Sequence, residues 1–332
     1  MKILVTGATG FIGRYLVSML NETGHNVKAL VRQGVRRSFV PSWMHRGTVK
    51  IVAGDVTNVA DVKNAVKDVD VVFHLAALLG KWQVPESEYH RVNVYGTQMM
   101  IDQCLKFDVD YFVFLSTTGV MGRLKNFPAD IDHPCSPMSN YEKSKYQAEL
   151  GVREAIDRKD FPATIIRSTH TFGPGDKDFI RLFKAIKWLK VLPLIGGGLN
   201  FFQPIYVKDV ARALIMCMEK SEVAVRRLYI IAGAESVRSK EFIHLSAKIM
   251  DTRLMSFDIP VRLAWAVANA NESVGTMLSR EPLLTASLVR FFTSNYLYNA
   301  KRICEDIGFT PKIDIKTGLS ETIGWYKKHS WL

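Results

Sequence analysis

Lys2-Ile3-Leu4-Val5-Thr6-Gly7-Ala8-Thr9-Gly10-Phe11-Ile12-Gly13 is the stretch that decides the fold. A short apolar run ends in a glycine turn, and a helix-like stretch, Arg14 to Leu20, follows at once. That order opens a dinucleotide-binding βαβ unit. Gly7 lets the chain turn sharply out of the strand. Gly10 lets the backbone approach a pyrophosphate, and Gly13 lets the helix pack close to the sheet. Backbone N–H groups at Thr9, Phe11 and Ile12 and the positive end of the helix then face the phosphates.

The rest of the chain carries the alternation this opening predicts. Strand-like runs at Lys2–Thr6, Asn26–Val31, Val49–Gly54, Val71–His74, Tyr111–Ser116 and Thr164–Ser168 alternate with helical runs. The helical runs are Phe11–Asn21, Val59–Val66, Tyr89–Lys106 and Tyr141–Arg158. The pattern predicts an α/β fold of Rossmann type, a doubly wound parallel sheet with ligands at the carboxyl ends of its strands. After Gly173-Pro174-Gly175 the rhythm breaks. Helices are expected at Asp178–Leu189 and Val207–Glu219, a loop at Gly196–Gly198, and strands at Phe202–Tyr206 and Leu228–Ala232. From about Ser239 the chain reads as mostly helical. Residues 1–173 are therefore expected to form the nucleotide-binding domain. Residues 174–332 form a smaller substrate lobe, with about 202–232 returning to the sheet.

The apolar stretch Pro260–Ala270 reads first as a core helix of that lobe. Contact with a membrane surface or with a greasy substrate is the alternative.

Composition narrows the function classes. The chain has 332 residues, 48% hydrophobic, with a formal net charge of +12. The lysines and arginines are scattered, which argues for a basic surface or a polyanionic ligand and against nucleic acid. No run of about 18 apolar residues is present, so no integral membrane span is expected. Met1 leads straight into a strand, which suggests no signal peptide and a cytoplasmic protein. Cys104, Cys135, Cys217 and Cys304 are widely spaced and suit reduced thiols, with no metal site.

Tyr141 and Lys145 form a YxxxK pair on one helix face. A fixed positive charge beside a phenol favours its ionised form, so Lys145 is expected to lower the Tyr141 pKa. The pair could then move a proton to or from a substrate oxygen. Upstream, a strand ending in Ser116-Thr117-Thr118 supplies a hydroxyl for the same oxygen.

These motifs together resemble the extended short-chain dehydrogenase/reductase superfamily. The matching runs are Gly7–Gly13, His74-Leu75-Ala76-Ala77, Asn93-Val94-Tyr95-Gly96-Thr97, Ser116–Gly122, Tyr141–Lys145, Arg167–Asp176 and Val207–Ala211. The resemblance implies catalysis by Thr117, Tyr141 and Lys145 with Asn93 in support. It implies cofactor contacts at the glycine turn, Asp55, Val56, Leu75, Ala76, Ala77, Ser116, Ser168 and His170. Ser168 stands where the family usually has proline. Asp209 reads as structural. Family topology places Gly80, Lys81, Trp82, Arg123, Arg181 and Gln203 along the substrate, although Trp82 equally suits a core. It also implies a homodimer through the helices Tyr89–Lys106 and Tyr141–Arg158. Val92, Met99, Met100 and Leu105 there serve either that interface or the sheet.

Strand two ends in Val31-Arg32, Arg36 and Arg37 follow, and no acid occurs between Glu22 and Asp55. An arginine there suits the 2′-phosphate of NADP and an acid suits NAD, so NADP is preferred over NAD. Three functions remain in view. The first is an NADP(H)-dependent oxidoreductase interconverting a secondary alcohol and a ketone on a steroid-like, flavonoid-like or sugar-derived small molecule. Its tail resembles the 3β-hydroxysteroid dehydrogenase and dihydroflavonol reductase branch at Glu281–Thr285, Leu297–Lys301, Ile307–Pro311 and Trp325. The second is a nucleotide-sugar 4-epimerase with tightly bound NAD. The third is a non-catalytic NADP(H)-binding module, which the presence of both Tyr141 and Lys145 disfavours. Sugar dehydratases place Asp-Glu after the catalytic threonine, where this chain has Thr118-Gly119.

Overall fold

The computed structural model describes residues 1–32, 34, 44, 49–80, 82–278, 280–282 and 284–332. Its first half contains β1 (Lys2–Thr6), α1 (Phe11–Glu22), β2 (Asn26–Val31), β3 (Lys50–Ala53), α2 (Val59–Val66) and β4 (Val71–His74). There follow α3 (Glu86–Tyr89), α4 (Gly96–Lys106), β5 (Tyr111–Thr117), α5 (Asn140–Lys159) and β6 (Ala163–Ser168). The second half begins with β7 (Thr171–Phe172), α6 (Phe179–Leu189), β8 (Val191–Ile195), β9 (Phe201–Phe202) and β10 (Ile205–Tyr206). Next come α7 (Val207–Glu219), α8 (Ser221–Ala224), β11 (Leu228–Ile231), β12 (Val237–Arg238), α9 (Ser239–Ile249) and β13 (Met255–Ile259). The last helices are α10 (Val261–Leu278), α11 (Ala286–Thr293), α12 (Lys301–Ile307) and α13 (Ile315–Lys328).

The main sheet has seven strands in the order β11-β6-β5-β4-β1-β2-β3, every pair parallel. Its order reverses between β1 and β4, the kind of switch point at whose carboxyl ends open α/β sheets bind ligands. Side chains alternate across the sheet, so both faces must be covered. Ile3, Val5 and Phe73 pack on one face with Leu16, Leu20 and Leu214. Leu4, Val72, Phe112 and Phe114 pack on the other with Val62, Met100 and Val152. Met100 is fully buried there, and Val92, Met99 and Leu105, partly buried, pack against the same cluster.

The helix expected over Tyr89–Lys106 is not uniform, because His90–Tyr95 forms a π-helical turn between α3 and α4. The strand expected at Phe202–Tyr206 is split by Gln203-Pro204 into β9 and β10. Within the expected helical tail, β13 pairs in parallel with β8. A third core of Phe172, Phe183, Phe202, Tyr206, Phe242 and Tyr326 holds the smaller lobe.

The helix over Pro260–Ala270 is a core helix only on its small residues. α10 buries Ala264, Ala268 and Gly275 while Leu263, Val267, Val274 and Met277 face outward.

The Gly173–Asp176 loop is held by helices from both ends of the chain. Arg14 Nη2 and Tyr15 Oη on α1 both donate to the Pro174 carbonyl, at 2.8 and 2.9 Å. Tyr326 Oη on α13 donates to the Asp176 carbonyl at 2.6 Å. Gly175 has φ +83°, and a Cβ there would collide with the Arg14 guanidinium.

Candidate active site

The glycine turn is built for backbone approach. Gly7 has φ +68°, and a Cβ on it would lie 2.8 Å from the Leu75–Ala76 peptide. A Cβ on Gly13 would overlap the Gly7 carbonyl oxygen, so α1 presses directly on the turn. α1 has no side-chain cap at Gly10 and no acid in its first turn. The N–H groups and positive end of α1 are thus unshielded by its own side chains, which fits a pyrophosphate. Leu75, Ala76 and Ala77 line the opposing edge, half-buried. Asp55 accepts from the Thr57 N–H and hydroxyl at 2.9 and 2.8 Å, and Val56 is buried against Gly96. Arg32 is exposed just past β2. Arg36, Arg37 and Lys81 lie outside the described residues.

A buried polar chain runs behind this edge. Thr97 Oγ1 gives its one proton to the Asn93 carbonyl at 2.6 Å, so it must accept from His74 Nε2 at 3.0 Å. His74 Nδ1 then accepts from Thr6 Oγ1 at 2.8 Å. The lone pairs of Thr6 Oγ1 receive the Leu75 and Ala76 N–H groups at 3.2 and 3.1 Å. Burial, and secondarily Lys145, hold His74 neutral, with its pKa lowered to about 3. Sequence reasoning gave Thr6, His74 and Thr97 no role. The available signal was a histidine closing an otherwise apolar strand.

Asn93 sits in the π-helical turn, a distortion common at functional sites. Its Oδ1 accepts from Leu78 N at 2.7 Å, and its Nδ2 donates to Ser144 Oγ at 2.8 Å and to Leu78 O at 3.1 Å. Ser144 Oγ donates to the Tyr141 carbonyl at 2.8 Å. The loop after β4 is thereby joined to the first turn of α5.

A capping box starts α5, with Ser139 and Glu142 satisfying each other's backbone N–H groups. Tyr141 is half-buried, and Lys145, one turn on, is almost fully buried. Lys145 Nζ donates to the Leu115 carbonyl at 2.8 Å and lies 4.1 Å from the Phe114 ring centroid. Thr117 ends β5, and its Oγ1 accepts from Gly119 N at 3.1 Å. A Cβ on Gly119 would touch both Glu142 Oε1 at 3.3 Å and Thr117 Oγ1 at 3.4 Å, so the end of β5 abuts the start of α5.

The electrostatics differ from the sequence expectation. Burial, then Glu142 and Asp178, push the Tyr141 phenol above its ordinary value, and Lys145 does not pull it down. Burial lowers Lys145 itself to about 7.

Other expected residues divide. Ser116 Oγ donates to the buried Glu149 at 2.8 Å and belongs to the protein interior. Ser168 Oγ donates to Thr169 O at 3.1 Å. Gly80 approaches Tyr141, where a Cβ would lie 3.8 Å from the tyrosine Cβ. Trp82 Nε1 is buried without a hydrogen-bond partner among the described residues. Arg123 is exposed. Gln203 is committed to the backbone, donating to Gly233 O at 2.8 Å and accepting from Tyr298 N at 3.2 Å. Arg181 is held by both carboxylate oxygens of Glu281, at 2.8 and 2.7 Å. Asp209 braces the backbone of Lys312 and Ile313, a structural role. His170 opens toward solvent, with its ring 4.9 Å from Phe291 and 5.8 Å from Tyr296, centroid to centroid. Phe291 and Tyr296 were not picked out from sequence, because nothing local ties them to β6.

Residues 3–232 match the model of the NAD dependent epimerase/dehydratase family. The chain belongs to that family. Its members of the extended short-chain dehydrogenase/reductase type are NAD(P)-dependent dehydrogenases, epimerases and dehydratases, and this chain is an enzyme of that type. It is 27% identical to 3beta-hydroxysteroid-dehydrogenase/decarboxylase isoform 1 of Arabidopsis thaliana, over 96% of this chain and 78% of the plant protein. It is 27% identical to the 2-alkyl-3-oxoalkanoate reductase of Stenotrophomonas maltophilia, over 96% of this chain and 97% of the reductase. It is 26% identical to the decarboxylating sterol-4-alpha-carboxylate 3-dehydrogenase erg26 of Schizosaccharomyces pombe, over 99% of both. The crystal structure of gox2253 superposes with TM-score 0.83 at 23% identity, over 99% of both chains. The NAD complex of UDP-glucuronic acid 4-epimerase from Bacillus cereus does so with TM-score 0.81 at 22%, again over 99% of both. These two structural likenesses bear on the extended fold alone.

Proposed function

We propose that this family member interconverts a secondary alcohol and a ketone on a largely apolar small molecule, with NADP(H) as its cofactor. The observation that carries the reading is the meeting of β5 and α5, which sets Thr117 beside the turn bearing Tyr141 and Lys145. Bound at the glycine turn, the nicotinamide would supply or accept the hydride. Tyr141 exchanges a proton with the substrate oxygen, and Thr117 Oγ1 orients that oxygen. Burial holds the Tyr141 phenol above its ordinary value, so it enters the reaction protonated, with a proton to give to a ketone oxygen. Lys145 lies buried one turn along the same helix, and Asn93 fixes the loop at Leu78.

Two features favour an apolar substrate over a nucleotide sugar. His170, Phe291 and Tyr296 form an aromatic wall. Arg181, a natural partner for a diphosphate, is already paired with Glu281. The reductase and sterol dehydrogenase relatives carry names that put the reacting oxygen at carbon 3 of a mainly hydrocarbon body. Arg32 and the absence of any acid between Glu22 and Asp55 support NADP. Exposed Tyr95 and Leu150, beside α4 and on α5, suit a homodimer.

The test follows cofactor absorbance with NADPH and NADH against a panel of 3-oxosteroids, 3-oxoalkanoates and nucleotide sugars. Net oxidation with an apolar ketone, lost in Tyr141→Phe, is expected. Sugar interconversion with no net cofactor change would overturn the reading in favour of an epimerase.

A further inference from the structure

α10 is an amphipathic helix turned inside out. The residues it buries are small, Ala264, Ala268 and Gly275. Its large apolar residues Leu263, Val267, Val274 and Met277 are 53%, 41%, 54% and 86% exposed. Their spacing of four, seven and three residues places them on one stripe. The helix cannot roll to hide that stripe. A Cβ on Gly275 would already lie 2.7 Å from the Arg280 carbonyl and 3.1 Å from Pro282 Cδ, so nothing larger fits inward there.

Further exposed apolar residues lie on the segments that lead into the helix. Pairing of β8 with β13 sets Val191 opposite Met255, and Pro260 leads from β13 into α10. Trp188 and Leu189 at the end of α6 are 71% and 64% exposed, and Met255 and Phe257 are 63% and 53% exposed. Exposed apolar surface on this scale marks a contact with something else.

Charge says what that partner is. The same segments carry Lys184, Lys187, Lys190, Arg253, Arg262 and Arg280, none of which makes an ion pair with a described residue. Their acids are Asp251, Asp258, Glu272 and Glu281, the last of which is paired with Arg181. Glu272 accepts from the Ala286 N–H at 2.8 Å, and the Asp258 carboxylate lies against Gly197. A second copy docked on this face would bring like charges together. A bilayer of anionic lipid offers acyl chains to the stripe and phosphates to the cations. Among the described residues no helix is long and apolar enough to cross a membrane, so the contact is with the surface.

We propose that the outward face of α10, with the adjoining ends of α6 and β13, docks this enzyme on the surface of an anionic lipid bilayer. The docking does not depend on the reaction proposed above, and its test does not read activity. The full chain is floated with vesicles of phosphatidylglycerol mixed with phosphatidylcholine, and with phosphatidylcholine alone, at low and high salt. Binding to the anionic vesicles is expected, weakened at least ~tenfold by high salt or by the neutral lipid. The variant carrying Val267→Asp and Val274→Asp should lose at least ~tenfold in vesicle binding, since charge on the outward apolar stripe opposes its insertion among the acyl chains. Its cofactor titration should match that of the unmodified chain, because both positions are solvent-facing and outside the cofactor site. Failure of the unmodified chain to float, or equal flotation of the variant, overturns the proposal. So does a concentration-dependent dimer that the variant abolishes while neither protein floats, since a second copy would then be the occupant.

Discussion

Glu149 and Arg167 pair entirely out of solvent, with Arg167 Nη2 donating to Glu149 Oε1 at 2.8 Å and both side chains 0% exposed. Glu149 also receives Ser116 Oγ, one residue before Thr117. The carboxylate therefore ties α5, β6 and the end of β5 together. Removing one member of such a pair strands the other charge. Glu149→Ala should cost about 3–5 kcal/mol in urea unfolding. Arg153→Ala, which removes the solvent-facing arm of the same cluster at 40% side-chain exposure, should cost about 1 kcal/mol or less. Similar losses for the two variants would show the buried pair to be dispensable.

Gly13 is the tightest point of the cofactor turn. Gly13→Ala should weaken NADP and NAD binding together by at least ~tenfold, about 1.4 kcal/mol, because α1 must retreat from Gly7. Fluorescence titration measures this, and circular dichroism establishes that the variant is folded. Unchanged affinity would mean that the turn does not hold the pyrophosphate.

Arg32 bears on the choice between the two cofactors. Arg32→Asp should reverse the NADP over NAD preference in kcat/KM by at least ~tenfold, about 1.4 kcal/mol, by trading a cation for an acceptor of the 2′-hydroxyl. A preference that stays put would remove Arg32 from ribose recognition.

His74 makes the fold acid-sensitive. Its folded pKa of about 3 lies below the ordinary 6.5, so the unfolded chain binds more protons between those values. Stability therefore rises with pH through that window. It is complete above the ordinary value and lost as pH falls toward the folded one. Each unit of separation is worth about 1.4 kcal/mol. His74→Gln should flatten the pH dependence of the urea midpoint across the window. An unchanged slope would place the acid sensitivity elsewhere.

Much of the nucleotide-binding half was legible because its signals are local. The strand before Gly7, the glycine spacing and the YxxxK repeat each lie within one element or one turn. The π-helical turn at His90–Tyr95 escaped because one extra residue per turn leaves no mark on a 3.6-residue period. The orientation of α10 escaped for a related reason. Periodicity shows that a stripe of Leu263, Val267 and Val274 exists, and only the neighbours decide which way it faces. The Arg181–Glu281 pair spans 100 residues, and the β8–β13 pairing is similarly non-local, so neither has a signature in any window. Lys145 lies one turn after Tyr141 on α5, and its ammonium meets the Leu115 carbonyl, a partner that only the packed sheet supplies.

The Gly173–Asp176 loop is fastened from two directions, by Arg14 and Tyr15 on the first helix and by Tyr326 on the last. Three side chains thus act as a rivet through one short stretch of backbone. The two ends of the chain are mechanically in series: a load applied to α13 is carried through Pro174 to the helix that starts at the glycine turn. Clipping the protein behind Gly324 would therefore slacken the nucleotide-binding turn from the far end of the sequence, without touching a residue that lines it.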